Sequence, residues 1–479
     1  MFDIDRQIFD FIEKFQKGEN SYKLFTTIPD FFVDADFHVI NNGNYKLSFT
    51  LQPEELKKGL DLDYFFQYPF VLVFEGNRIL VQNVDIINGN QGLNSDAPCN
   101  LNIEVKAFKG DTDETLWEHS KQTAYFRYDS NQFTPGKSGI CFDLTTDSKD
   151  NGFYNALHLK VDNVELLFYH ESVSPKSGYY IFRPNGIIDF KKFQRIIDSI
   201  ISAFGFLNGY YMPDTEYYFA HKTINGKSIL TYRYENSKRS FNTNAPIIDS
   251  GYYEDVPNDN LQLSSLQFNN LVNLLYKNEE YLRSALLLIN AGNLKGCAKA
   301  SLGAVALETI TMKVGMESLN GQIIENEKLS KEIRYQLNKT LKGFSDKLDK
   351  EQFGVLSNKL NQINSKPNAS KLEDAFQHLE ISLDEEEKYC ISCRNLFLHG
   401  NLPRRKKDMW LTDMELLDVV ANRLVMLSSI LLLKLANYNG MVIDRGMTEV
   451  TKWRMIRNGH KVRGGNCLRN ISMTTSSNV

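Results

Sequence analysis

Cysteine is scarce in this chain: six in 479 residues, widely scattered. That excludes a disulfide framework and points to a reducing compartment. A large excess of one charge is also missing. The formal net charge is −4, with 24% charged residues, so any nucleic-acid binding must come from a local patch. The opening Met1-Phe2-Asp3-Ile4-Asp5 lacks a basic region followed by an apolar run. No secretory signal is therefore expected, and the cytoplasm is the expected compartment. A Walker loop is absent as well. Gly136-Lys137-Ser138 and Gly226-Lys227-Ser228 have the right endings, but Asn131 and His221 stand where the leading glycine belongs.

What is present divides by composition. Residues 1–255 are rich in short aromatic and β-branched runs separated by Asn-Gly and Asp-rich turns. Phe70–Phe74, Leu101–Val105, His158–Val161 and Val164–Tyr169 are examples. They predict an antiparallel sandwich or barrel-like module. A short amphipathic helix is expected around Ile4 to Phe15, and a second from Asp189 to Phe204 with Ile196, Ile197, Ile200 and Ile201 on its face. Gly205–Tyr211 reads as a tight turn into the next strand. No catalytic constellation stands out here, since His119, His158, His170 and His221 are isolated.

Residues 256–440 read as helical, giving an α+β chain. Ser264 and Gln267 predict a capped helix running to Ile289. A helix from Leu294 to Val314 carries Gly296, Ala298, Ala300, Gly303, Ala304 and Ala306, which permit close packing, and Glu308, suited to a salt bridge. Polar, Lys-rich helices over 325–380 are expected at the periphery. Thr412 and Glu415 open a helix to Asn437 that is apolar nearly all round, the central helix of a bundle. Asp418, Arg423 and Lys434 make it a poor membrane span, so no membrane partner is expected.

The densest chemistry lies between two of these helices, at Cys393-Arg394-Asn395-Leu396-Phe397-Leu398-His399-Gly400-Asn401. The preceding helix, Ser382 to Leu398, is expected to start with a capping box at Ser382 and Glu385 and to bury Tyr389, Cys390, Cys393, Leu396 and Phe397. Ile391 and Leu398 then fall on a second apolar face, expected to meet another subunit. Arg394 and His399 fit a pattern of Arg, four to six residues, His. For eight histidines among 479 residues chance gives about one such match, and the chain has two. The other, Arg454 to His460, sits in a Gly-containing basic stretch with no clear helical frame, so context favours Arg394. Cys390 and Cys393 lack a second pair nearby, so no metal site is expected.

Arg-Asn-x-x-x-His at a helix end, before a long apolar helix in an all-helical domain, resembles the HEPN superfamily of ribonucleases. A β-rich half followed by such a domain is similar to the ApeA-type anti-phage defence proteins. The resemblance implies a metal-independent endoribonuclease, free of cofactors, with a site shared between two subunits. It marks Arg394, Asn395 and His399 as the motif residues. The chemistry stands beside it: histidine can move protons near neutral pH and arginine can hold two phosphate oxygens. One of each is few for strand cleavage by the 2′-hydroxyl, and a homodimer or higher oligomer supplies two. The run Arg404-Arg405-Lys406-Lys407 suits an RNA backbone. Residues 441–479 read as a basic tail. The N-terminal half is expected to sense a partner such as a phage-derived trigger. The rival expectation is a non-catalytic HEPN-like RNA-binding, nucleotide-binding or scaffold protein.

Overall fold

A computed structural model describes residues 8–13, 21–25, 32–39, 45–54, 70–74, 77–89, 98–110, 115–129, 140, 143–146, 153–174, 177–209, 215–224, 227–236, 245–248, 261–318, 323–324, 326–364, 368–398, 400–404, 410–460 and 467–471. The chain is mixed: a β-rich N-terminal half built on a large antiparallel sheet, then a helical C-terminal half. It divides into two compact units. One takes in residues 1–205, 210–242 and 264–276, and the other residues 206–209, 243–263 and 277–479. The chain passes between the units at 205/206, 209/210, 242/243, 263/264 and 276/277, and the expected boundary at 255 lies inside the 243–263 segment of the second.

In the first unit the strands β1 (Ser21–Phe25), β2 (Phe32–Val39), β3 (Tyr45–Leu51), β4 (Phe70–Phe74), β5 (Asn77–Gly89) and β6 (Cys99–Gly110) form a closed cycle. Closure comes from β6, whose residues 99–105 pair with β3 while its other edge pairs with β5. Of the two expected forms, the barrel is the one realised here. Alternation puts Leu47, Phe49, Leu101, Ile103 and Val105 inside.

Residues 107–109 of β6 continue past the barrel and pair with β13 (Lys227–Asn236). The sheet then runs through β12 (Thr215–Ile224), β7 (Lys121–Asp129), β11 (Ser177–Pro184), β10 (Val164–Ser174) and β9 (Phe153–Val161) to β8 (Asp143–Thr146). The β9–β10 hairpin turns on Asp162 and Asn163, both left-handed (φ 46° and 64°), as a two-residue primed turn requires. Helix α1 (Phe190–Asn208) covers one sheet face, with Phe193, Ile196, Ile197, Ile200, Ile201 and Phe204 buried. Phe204 meets Phe168 and Tyr180 at 5.8 and 5.3 Å between centroids. The helix continues through Gly205, where the sequence reads as a turn, and stops at Gly209 (φ 62°). Helix α2 (Ser265–Lys277) serves the edge: Asn269 Oδ1 accepts from the Lys160 amide and Asn273 Nδ2 donates to the Lys160 carbonyl, both at 2.8 Å.

The Ser264–Gln267 capping box forms. The expected single helix to Ile289 breaks at Asn278, which is extended (φ −131°, ψ 109°), so α3 (Glu279–Gly292) starts anew. In the helical unit, α4 (Gly296–Ser318) and α9 (Asp413–Leu435) pack closely. A Cβ on Gly303 would lie 3.2 Å from Leu424 Cβ. Helix α9 has its Thr412–Glu415 capping box and 15 buried residues. Among the described residues it is the one helix long and apolar enough to cross a membrane, and 83% of that window is buried within the chain. The helices α5 (Glu327–Lys342) and α6 (Lys350–Asn361) are peripheral: α5 buries only Ser330 and α6 nothing. The α7 helix (Asn368–His378) and α8 (Glu385–Leu398) complete the bundle.

The basic tail is a correction to the sequence reading. β14 (Met441–Asp444), α10 (Arg445–Arg457) and β15 (Cys467–Asn470) belong to the helical unit, with Val442, Ile443 and Ile471 buried. Arg454, assigned no helical frame from the sequence, lies in α10.

Candidate functional site

Helix α8 is fixed at both ends by arginine and carboxylate. At its start the capping box is Asp384 with Glu387, not Ser382 with Glu385. The Glu387 amide donates to Asp384 Oδ1 at 2.7 Å and the Asp384 amide to Glu387 Oε2 at 3.0 Å. Glu387 is itself buried and receives Arg469 Nε at 2.8 Å, while Arg469 Nη2 donates to the Ser382 carbonyl at 2.5 Å. Arg423 of α9 lies 3.2 Å from Glu386, 3.6 Å from Asp384 and 3.4 Å from Asp444. Burial by itself would weaken the Arg423 charge, but Asp444 and its neighbours more than offset that and hold its pKa above the usual value. The acids at the start of α8, Asp384, Glu386 and Glu387, therefore belong to an ion-pair cluster with Arg423 and Arg469. From the sequence Arg423 reads only as a charge that spoils a membrane span, and neither Asp444 nor Arg469 is assigned to this cluster, although a lone arginine within an apolar helix is itself a sign of a buried charge.

The buried arc of α8 runs through Cys393, Phe397, Cys390, Arg394, Glu387 and Ile391, about 160° at 100° per residue. It is this wide because α8 packs against α4, α7 and α9 together. Two corrections follow. Tyr389 and Leu396 sit at the edge of the core rather than in it. Ile391, assigned to a face toward another subunit, is fully buried within its own chain. The side chain of Leu398 lies outside the described residues.

Arg394 is 1% exposed, among the largest fully buried side chains. Its Nε lies 3.0 Å from Oε1 of Glu308 on α4, off the line of a hydrogen bond. Asn395 is exposed. Beyond Leu398 the helix closes on Gly400 (φ 71°), with the Gly400 amide donating to the Phe397 carbonyl at 3.1 Å and the Asn401 amide to the Leu396 carbonyl at 2.7 Å. These are the paired bonds of a Schellman stop. Tyr389 Oη donates to the Arg404 carbonyl at 3.2 Å, tying the following segment to α8. Arg404 is exposed, whereas His399, Arg405, Lys406 and Lys407 lie outside the described residues.

No family model, curated protein or solved structure matches this chain. What the site can do is set by its own chemistry. Arg394 is a permanent charge with one carboxylate beside it, next to an exposed amide and a tight stop that contains the sequence position of His399. Burial pushes the Cys390 and Cys393 thiols up, opposite to what a metal-binding thiolate needs. The second Arg…His match ends in the same way, since Arg454 lies in the last turn of α10 and Gly459 (φ 70°) closes it. A helix end therefore does not distinguish the two matches. Burial does, because Arg394 is covered and ion-paired while Arg454 and His460 are exposed.

Proposed function

We propose that this chain is a metal-independent endoribonuclease of HEPN type, acting in the cytoplasm within an ApeA-like anti-phage or toxin-type defence system. Arg394, Asn395 and His399 carry its site, two copies assemble to complete it, and the β-rich unit senses the trigger. The observation that carries this reading is the buried Arg394–Glu308 pair beside exposed Asn395 at the stop of α8. Hydrophobic side chains would fill that volume with less desolvation, so a charge there calls for a purpose beyond packing. With its guanidinium covered, the described form is a resting one. Arg394 either leaves Glu308 on assembly or acts as a positioning residue for Asn395 and His399.

The same pair favours a second reading. An arginine that is 1% exposed and paired within its chain can be a structural tie in a protein that binds RNA without cutting it. The test is purified wild-type protein and His399→Ala on RNA in EDTA, and both in cells with and without phage. New 5′-hydroxyl ends that require His399 support the nuclease. Binding without new ends under every condition selects the second reading.

A further inference from the structure

Trp410 stands just before α9 with 41% of its surface exposed. Two arginines of α10 reach its ring, Arg457 at 4.7 Å and Arg454 at 5.7 Å from guanidinium carbon to ring centroid. Their roles differ. Arg457 donates to the Trp410 carbonyl at 2.8 Å and to Glu415 Oε2 at 2.6 Å, so its charge is neutralised and it fixes the tryptophan. Arg454 is exposed, and no carboxylate pairs with it among the described residues. A rigid indole beside one uncompensated guanidinium offers a π-face for an unpaired base and a cation for the phosphate next to it. An acidic peptide would use the cation and leave the indole unanswered. A duplex, its bases already stacked, would do the same.

We infer that Trp410 and Arg454 form a single-stranded RNA platform, with Trp410 stacking a base and Arg454 holding a phosphate. This rests on the ribonuclease reading only for the identity of the strand. It also gives the second Arg…His match a place: the stretch from Arg454 to exposed His460 lines a binding surface and takes no part in cleavage.

The test uses the full chain carrying His399→Ala and a fluorescein-labelled oligouridine, with Kd followed across a salt series. Trp410→Ala should weaken binding about 5- to 150-fold, as expected for loss of one stacked base, and Trp410→Phe should recover most of it. Arg454→Gln should reduce the salt slope by about 0.7, one phosphate's share for a single strand. Melting of each variant separates lost binding from lost fold, and Trp410→Phe decides the question if Trp410→Ala does not fold. Unchanged Kd in the folded variants, no affinity for the oligonucleotide, or equal competition by polyglutamate would overturn the inference. Cleavage is scored in parallel in the same variants with His399 intact. Cleavage with binding indifferent to Trp410 overturns the platform and leaves the nuclease, whereas Trp410-dependent binding without cleavage does the reverse.

Discussion

At the scale of single residues, the Arg394–Glu308 pair separates structure from catalysis. Glu308 is 32% exposed and Arg394 2% by side chain, so Glu308→Gln removes the partner of a covered charge with only partial relief from water. A loss of about 2 kcal/mol is expected, below the 3–5 kcal/mol of a fully buried pair, and urea unfolding would measure it. The double variant Glu308→Leu with Arg394→Met should regain most of that stability. If the double variant is stable and also cleaves RNA as well as wild type, the motif arginine is structural and its place in the cleavage site fails. Protonation adds a second prediction at this scale. Burial lowers the pKa of His170 from 6.5, and burial with Lys121 and Arg183 lowers that of His221. Each imidazole is neutral in the fold and gains a proton more readily on unfolding. Their contribution is therefore complete above about pH 6.5 and is lost as pH falls from there toward the folded values, by at most about 1.4 kcal/mol per unit for each group. His170→Gln should flatten the stability curve of the β-rich unit below pH 6.5, and an identical curve would exclude this source.

At the scale of elements, α1 was legible from its amphipathic period, α4 from its run of small residues, and α9 from a capping box followed by residues apolar nearly all round. Helix α8 was legible in extent but not in orientation. Its buried arc includes Glu387 and Arg394, and hydrophobic counting leaves out charged residues whose partners lie far along the chain. Glu387 pairs with Arg469, 82 residues away, and Arg394 with Glu308. For the same reason Ile391 seemed to lack a partner in its own chain. The cap was displaced by two residues because Ser382 and Asp384 each precede a glutamate by three, and only Arg423 and Arg469 decide between them. The consequence is measurable. Asp384→Ala should destabilise the helical unit by about 1 kcal/mol, whereas Ser382→Ala should change it by less than about 0.3 kcal/mol, since Ser382 contributes its carbonyl to Arg469. Equal effects in thermal melts would restore the earlier cap.

At the scale of the whole molecule, the closing 25 described residues, 441–460 and 467–471, act as a wall of the helical unit. Composition alone reads them as a basic tail because Lys452, Arg454, Arg457 and Arg469 carry the signal, while the acids that answer Arg457 and Arg469 are Glu415 and Glu387, outside the segment. The Ile443 amide donates to the Ile247 carbonyl at 2.9 Å and Arg445 Nη2 to the Pro246 carbonyl at 2.7 Å, so β14 is hydrogen-bonded to a distant segment of the same unit. Asp444 is the buried counter-ion of Arg423, and Arg469 is the partner of buried Glu387. Ending the chain after Gly440 would strand Glu387 and leave Arg423 with only the exposed acids Asp384 and Glu386. Each broken buried pair costs roughly 3–5 kcal/mol, against about 5–15 kcal/mol for a whole domain. The truncated protein should therefore lose the cooperative unfolding of its helical unit and aggregate, while one ending after Ile471 keeps it. Because these contacts fix the start of α8, Arg469→Met should also lower any His399-dependent cleavage without contributing a group to the site. A chain of residues 1–440 that unfolds cooperatively at the full-length midpoint would show that the segment is a tail after all.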